Sequence, residues 1–96
     1  MKINFINESN VLKVSLDGRL DTITAPEFDD FLKLNLAGVD KVVIDCEKLV
    51  YISSAGLRVL LSITKKIKNS LKLVNVQELV MEVLEVTGFA DIMEIE

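Results

Sequence analysis

Residues 41–61 read KVVIDCEKLVYISSAGLRVLL, and the place where strand gives way to helix inside them decides the fold. Val42, Val43 and Ile44 are consecutive β-branched residues, which suits a strand buried on both faces more than one facing water. The pattern predicts a central strand over 41–46. After a short connection Gly56, Val59, Leu60, Ile63 and Ile67 recur at helical spacing, while Arg58, Ser62, Lys65 and Lys66 share the opposite face. A second helix therefore starts at or just after Ser53 and Ser54. Leu49, Val50, Tyr51 and Ile52 lead into that start, with some expected in the core and one or two on a binding surface.

Working outward, Ile3 and Phe5 alternate with Lys2 and Asn4, and Leu12, Val14 and Leu16 with Lys13, Ser15 and Asp17, the period of two that marks half-buried strands. NESN, residues 7–10, is the turn of an antiparallel hairpin. Thr24, Pro26 and Glu27 resemble a capping box, in which threonine oxygen and glutamate satisfy free N–H groups at a helix start. Phe28, Phe31, Leu32 and Leu36 follow at helical spacing, and Gly38 supplies the stop. Beyond the second helix, LKLV at 71–74 reads as a short strand. NVQELVMEVLEVTG at 75–88 reads as a third helix with Val76, Leu79, Val80, Val83 and Leu84 on one stripe, Asn75 as N-cap and Gly88 just past its end. The tail DIMEIE adds a short edge strand or nothing. The order β-β-α-β-α-β-α predicts an α/β fold, a small mixed sheet with helices packed against it through right-handed crossovers. Residues 1–96 read as a single domain with no linker, repeat or low-complexity segment.

Composition narrows the function. The net charge of −4 argues against a nucleic-acid surface, which needs a basic patch. Lys65, Lys66 and Lys68 cluster only where cations complement a helix C-terminus. Cys46 is the single cysteine and there is no histidine, so intrachain disulfides, the usual zinc sites, Ser-His-Asp triads and Cys-His pairs are excluded. No uncharged apolar run approaches the ~18 residues a membrane span needs, and the N-terminus lacks a signal-like apolar stretch. The expected location is the cytoplasm.

Neither GxxxxGK[ST] nor GxGxxG is present, so a nucleotide site has no motif to carry it. Asp17, Asp21, Asp29, Asp30 and Asp45 are scattered, with no spacing that forces a catalytic or metal-binding pair. Neither a metal nor a cofactor is expected. The serine pair remains. Ser53 or Ser54 serves as a helix N-cap worth about 1 kcal/mol, while nucleophilic catalysis lacks a histidine base. A third use is as a phosphate acceptor, since added charge at a helix N-terminus meets unpaired N–H groups and the positive end of the dipole.

GRLDTITAPEF at 18–28 and VVIDCEKLVYISSAGLRVLL at 42–61 together resemble the STAS domain of the bacterial anti-sigma factor antagonists. The resemblance runs from the hairpin to the third helix. It implies a non-enzymatic phosphoswitch: the protein binds an anti-sigma factor that is also a serine kinase, releasing a sigma factor; phosphorylation breaks the complex and a PP2C-type phosphatase restores it. Ser54, two residues before Gly56, aligns with the family's acceptor. Ser53 takes a place often held by aspartate and is the alternative acceptor, the cap or the aspartate substitute, and Ala55 a place often held by serine. Asp21 aligns with the aspartate of the family's Gly-x-Leu-Asp motif. The implied partner surface comprises Asp21, Thr24, Tyr51, Ser53, Ala55, Gly56 and Arg58. A STAS accessory subunit of a transport or lipid-trafficking complex is the alternative. The polar outer faces of the first and third helices suggest a monomer when free.

Overall fold

The computed structural model describes residues 1–67 and 70–96; Lys68, grouped above with Lys65 and Lys66, lies outside them. Two strands, β1 (Lys2–Glu8) and β2 (Val11–Leu20), open the chain, followed by α1 (Ala25–Asn35), β3 (Lys41–Ile52), α2 (Ser54–Lys66), β4 (Leu71–Val74), α3 (Glu78–Val86) and β5 (Glu94–Ile95). A short 3₁₀ turn at Phe89–Asp91 precedes β5.

β1 and β2 form the antiparallel hairpin, but its turn is narrower than NESN. Asn7 and Glu8 still pair with Leu12 and Val11, and the reversal is made by Ser9 and Asn10 alone, at φ 52° and 65°. Positive φ at both central residues matches the right-handed strand twist, so the hairpin closes in two residues.

The remaining strands pair parallel, in the order β1-β2-β3-β4-β5. Strands are added in one direction only, so right-handed crossovers set the connecting helices on one face of the sheet. Register and burial agree. Leu12, Val42 and Leu71 lie side by side and are buried, as are Val14, Ile44 and Leu73; the intervening rows Lys13, Val43, Lys72 and Ser15, Asp45, Val74 are not. β3 is therefore buried on one face and half-covered on the other, not buried on both as its β-branched run suggested. On the helical face Phe28 of α1 is fully buried and stacks near Phe31, so Phe28→Ala would cost about 3–5 kcal/mol.

β3 also runs on to Ile52 instead of stopping at Cys46. Opposite Ser15 to Asp17 it advances from Asp45 to Lys48, and opposite Gly18 to Arg19 from Leu49 to Tyr51. Each step inserts one extra residue, a β-bulge. Buried positions consequently fall at 42, 44, 46, 49 and 52, and the period of two is lost where the strand continues. Asp45 Oδ1 accepts from the Glu47 N–H and from Asn75 Nδ2, and Gln77 donates to the Glu47 carbonyl, so the β4–α3 turn braces the first bulge.

That brace explains why Asn75 is not the cap of α3. It sits at φ 55° with its side chain on Asp45, and Gln77 takes the N-cap position. The helix is thereby shorter and rotated. Val80 and Leu84 are buried, whereas Leu79, assigned to the inner stripe from spacing, is 57% exposed. Gly88 follows at φ 81°, the left-handed conformation expected just past a helix end. The tail does form an edge strand, fixed by the Glu96 N–H on the Leu73 carbonyl and by the Lys72–Glu96 ion pair.

Candidate functional site

Because β2 and β3 are parallel, both end at the same rim of the sheet, with Leu20 opposite Ile52. Each then turns into a helix. The ladder continues one step further, the Ser53 N–H donating to the Leu20 carbonyl at 2.9 Å, so the two helix entrances are tied together.

At the second entrance, Ser53 is the N-cap of α2. Its backbone is extended, at φ −102° and ψ 175°, its Oγ accepts from the Gly56 N–H at 3.4 Å and its carbonyl accepts from the Leu57 N–H. Ser54 begins the helix, is exposed, and makes no side-chain hydrogen bond among the described residues. Gly56 is buried, and its role is close approach: a Cβ there would lie 2.7 Å from Leu20 Cγ and 3.0 Å from the Leu20 carbonyl. It shapes the rim but offers no side chain to a partner.

At the first entrance, the capping box forms three residues earlier than the sequence suggested. Thr24 makes no cap hydrogen bond to α1. Instead Asp21 Oδ1 accepts from the N–H groups of Ile23 and Thr24, both at 3.0 Å, and Thr24 Oγ1 accepts from the Asp21 N–H at 2.9 Å. This is the reciprocal pattern of a capping box with Asp21 as the cap and Thr24 in the returning position. The Thr24 hydroxyl also donates to the Arg19 carbonyl at 2.7 Å, closing the turn onto β2. The N–H of Thr24 lowers the Asp21 pKa most, helped by the Thr24 hydroxyl, the Ile23 N–H and the Arg19 charge, against a partial burial that raises it.

Arg19 links the entrances from the side. Its guanidinium lies 4.2 Å from the ring centre of Tyr51, and its Nε is 3.6 Å from Asp21 Oδ2. Such a cation–π contact at a half-exposed position contributes about 0.5–1 kcal/mol. Of the residues leading into α2, Leu49 and Ile52 are buried, Tyr51 is half-buried and Val50 is exposed.

Between α1 and α2 runs a shallow groove of about 360 Å³, lined by Thr22, Pro26 and Asp29 on one side and Ala55, Arg58 and Ser62 on the other. Ile23, in the turn above α1, is 85% exposed. The residues singled out from sequence thus fall into two neighbouring sets. Asp21, Thr24 and Tyr51 are joined through Arg19, while Ser53, Ser54, Ala55 and Arg58 belong to the first turns of α2. Arg19, Thr22 and Ile23 carry no assignment from sequence, and Asp29 is weighed there only as a catalytic or metal-binding carboxylate. Only Ile23 had a legible signal, an apolar residue isolated in a polar turn.

Among the described residues no group of three His, Cys, Asp or Glu side chains could hold a metal ion. Cys46 is buried and its thiol pKa is pushed up to about 12, first by burial and then by the Asp45 charge, which makes it a packing residue and not a nucleophile. No described helix is long and apolar enough to cross a membrane.

The STAS-domain family model matches residues 2–96. The chain belongs to the STAS-domain family. Its sequence is 33% identical, over 96% of this chain and 83% of the other, to BtrV of Bordetella bronchiseptica, named provisionally as an anti-sigma factor antagonist. In solved structures the same STAS architecture recurs. An anti-sigma factor antagonist from Mycobacterium paratuberculosis superposes with a TM-score of 0.87 at 21% identity, covering 98% of this chain and 83% of that one. The anti-sigma factor antagonist SpoIIAA in its unphosphorylated form superposes with a TM-score of 0.84 at 16% identity, covering 99% and 88%. The phosphorylated form of Bacillus SpoIIAA gives 0.74 at 15% identity, covering 99% and 91%. The sheet order and the helix placement described above are those of the STAS fold.

Proposed function

We propose that this STAS domain is an anti-sigma factor antagonist: it binds an anti-sigma factor that is also a serine kinase, frees a sigma factor, and is switched off by phosphorylation of Ser54. The observation that carries the reading is the division of labour in the serine pair. Ser53 caps α2 with its hydroxyl, and Ser54 is left exposed in the first helical turn. A phosphate on Ser54 would leave the cap intact and add a charge of about −1.5 to −2 beside the positive end of the helix dipole, so the fold tolerates it.

The consequence falls on binding. A partner packed over the rim must desolvate the phosphate, and even a net penalty of about 4 kcal/mol weakens binding roughly a thousandfold. Supporting the reading are the 33% identity to BtrV and the existence of SpoIIAA, of the same fold, in unphosphorylated and phosphorylated forms. The surface assigned to the partner is the rim around Ser54: Asp21 and Thr24 in the first turn, Tyr51 beside Arg19, and Ser53, Ala55 and Arg58 on α2, with Gly56 setting the helix position from below. The domain performs no catalytic step; a PP2C-type phosphatase restores the binding form, and the setting is the cytoplasm.

The test is phosphopeptide mapping after incubation with the host's anti-sigma kinase and ATP, together with pull-downs of Ser54→Asp and Ser54→Ala. Phosphate on Ser54, loss of binding in the first variant and ATP-insensitive binding in the second are expected. Wild-type behaviour of both variants would overturn the proposal.

A further inference from the structure

β1 is the edge of the sheet: it pairs with β2 on one side and, among the described residues, with nothing on the other. Such an edge presents a row of unpaired N–H and C=O groups and is normally covered or made unattractive by charge. Here it is seven residues long, and its two central apolar side chains are left half in water, Phe5 at 53% and Ile6 at 52% exposure. Phe5 meets Phe31 of α1 edge-on at 4.9 Å on the helical face, which leaves its outer flank free.

The charges of the strand are placed symmetrically. KINFINE carries Lys2 at one end and Glu8 at the other, three residues either side of Phe5. If a second copy of the strand is laid antiparallel with Phe5 opposite Phe5, Lys2 faces Glu8 of the other copy, and Glu8 faces its Lys2. Both pairs fall on the helix-free face, since directly opposed residues share a face. Moving the register by two residues either way removes both pairs, leaving the charges opposite neutral residues or past the end of the strand. The arrangement centred on Phe5 also satisfies backbone alternation, because an antiparallel pair whose two-fold axis passes midway between two copies of one residue always presents matching donors and acceptors. Glu8 already approaches Lys13 at 3.9 Å, but both groups are more than half exposed, so sharing the carboxylate costs little.

From this edge and its charge symmetry we propose that the protein forms a two-fold homodimer through β1, joining two five-stranded sheets into one and covering Phe5 and Ile6. The rim at the ends of β2 and β3 takes no part in the contact, so the dimer carries two separate Ser54 sites, and the proposal stands independently of what those sites bind. The expectation of a monomer rests on the polar outer faces of the helices alone, not on the strand edge.

Sedimentation equilibrium across a concentration series tests it, with the wild type, Lys2→Glu, Glu8→Lys and the double reversal, each checked for folding by circular dichroism. The expected result is a concentration-dependent mass rising to twice that of the monomer. Each single reversal should weaken dimerisation by on the order of tenfold or more, since two attractive pairs become two repulsive ones, and the double reversal should restore it. A wild type that stays monomeric to millimolar concentration, a dimer indifferent to the single reversals, or a double reversal that does not recover would each overturn it.

Discussion

Gly56 approaches Leu20 so closely that a methyl group on it would sit 2.7 Å from Leu20 Cγ and 3.0 Å from Ile52 Cγ1. The start of α2 is thereby pressed onto the ends of β2 and β3, which fixes where Ser54 is presented. Gly56→Ala gains up to about 1 kcal/mol in helix propensity but forces a shift in that packing, and a net loss of about 1–2 kcal/mol is expected. Thermal unfolding should show a Tm lower by roughly 5–15 °C.

The two serines should separate cleanly in stability measurements. Ser53→Ala removes the cap of α2 and should cost about 0.5–1 kcal/mol, toward the low end because the bond is long at 3.4 Å. Ser54→Ala, at an exposed position without a hydrogen bond among the described residues, should change the urea midpoint little. Equal losses from both would show that the cap is shared.

Acid should act through Asp21. Its pKa is lowered in the folded state, chiefly by the Thr24 N–H, so the carboxylate contributes stability that is present above the unfolded value of about 3.9 and is lost as pH falls through the lower folded value. Asp21→Asn keeps an oxygen for the two N–H groups but removes the charge. Urea unfolding below about pH 4 should therefore fall less steeply in this variant than in the wild type.

Alkali should act through Cys46. With the folded thiol raised to about 12, its contribution is intact below the unfolded value of about 8.5 and declines above it, by at most ~1.4 kcal/mol per pH unit. At neutral pH a thiol reagent should modify Cys46 only when the protein is unfolded in denaturant. Rapid labelling of the native protein would contradict the buried placement.

The parts of the fold that sequence made legible are those governed by local pattern. The β2 alternation, the helical stripe from Gly56 to Ile67 and the left-handed Gly88 each depend on residues a few positions apart, whereas β1, read as half-buried, is exposed at every residue but Ile3. What escaped depends on neighbours distant in the chain. β3 could not be followed past Cys46 because two bulges, one braced by Asn75 and Gln77 some thirty residues on, break its period. The same bulges bring Tyr51 opposite Arg19, so their stacking has no signature in either segment. At the candidate site, Asp21 and Thr24 were both visible, but Thr24 was paired with Glu27 as a cap when it returns to Asp21. A capping pattern read from spacing alone allows either partner, and the strand that feeds the turn chooses between them.

The proposed phosphoswitch comes down to one comparison, the affinity of the host's purified anti-sigma kinase for this domain before and after stoichiometric phosphorylation of Ser54, measured by calorimetric titration without ATP. Binding weakened by roughly a thousandfold is the expected result. Equal affinities for the two forms would contradict it.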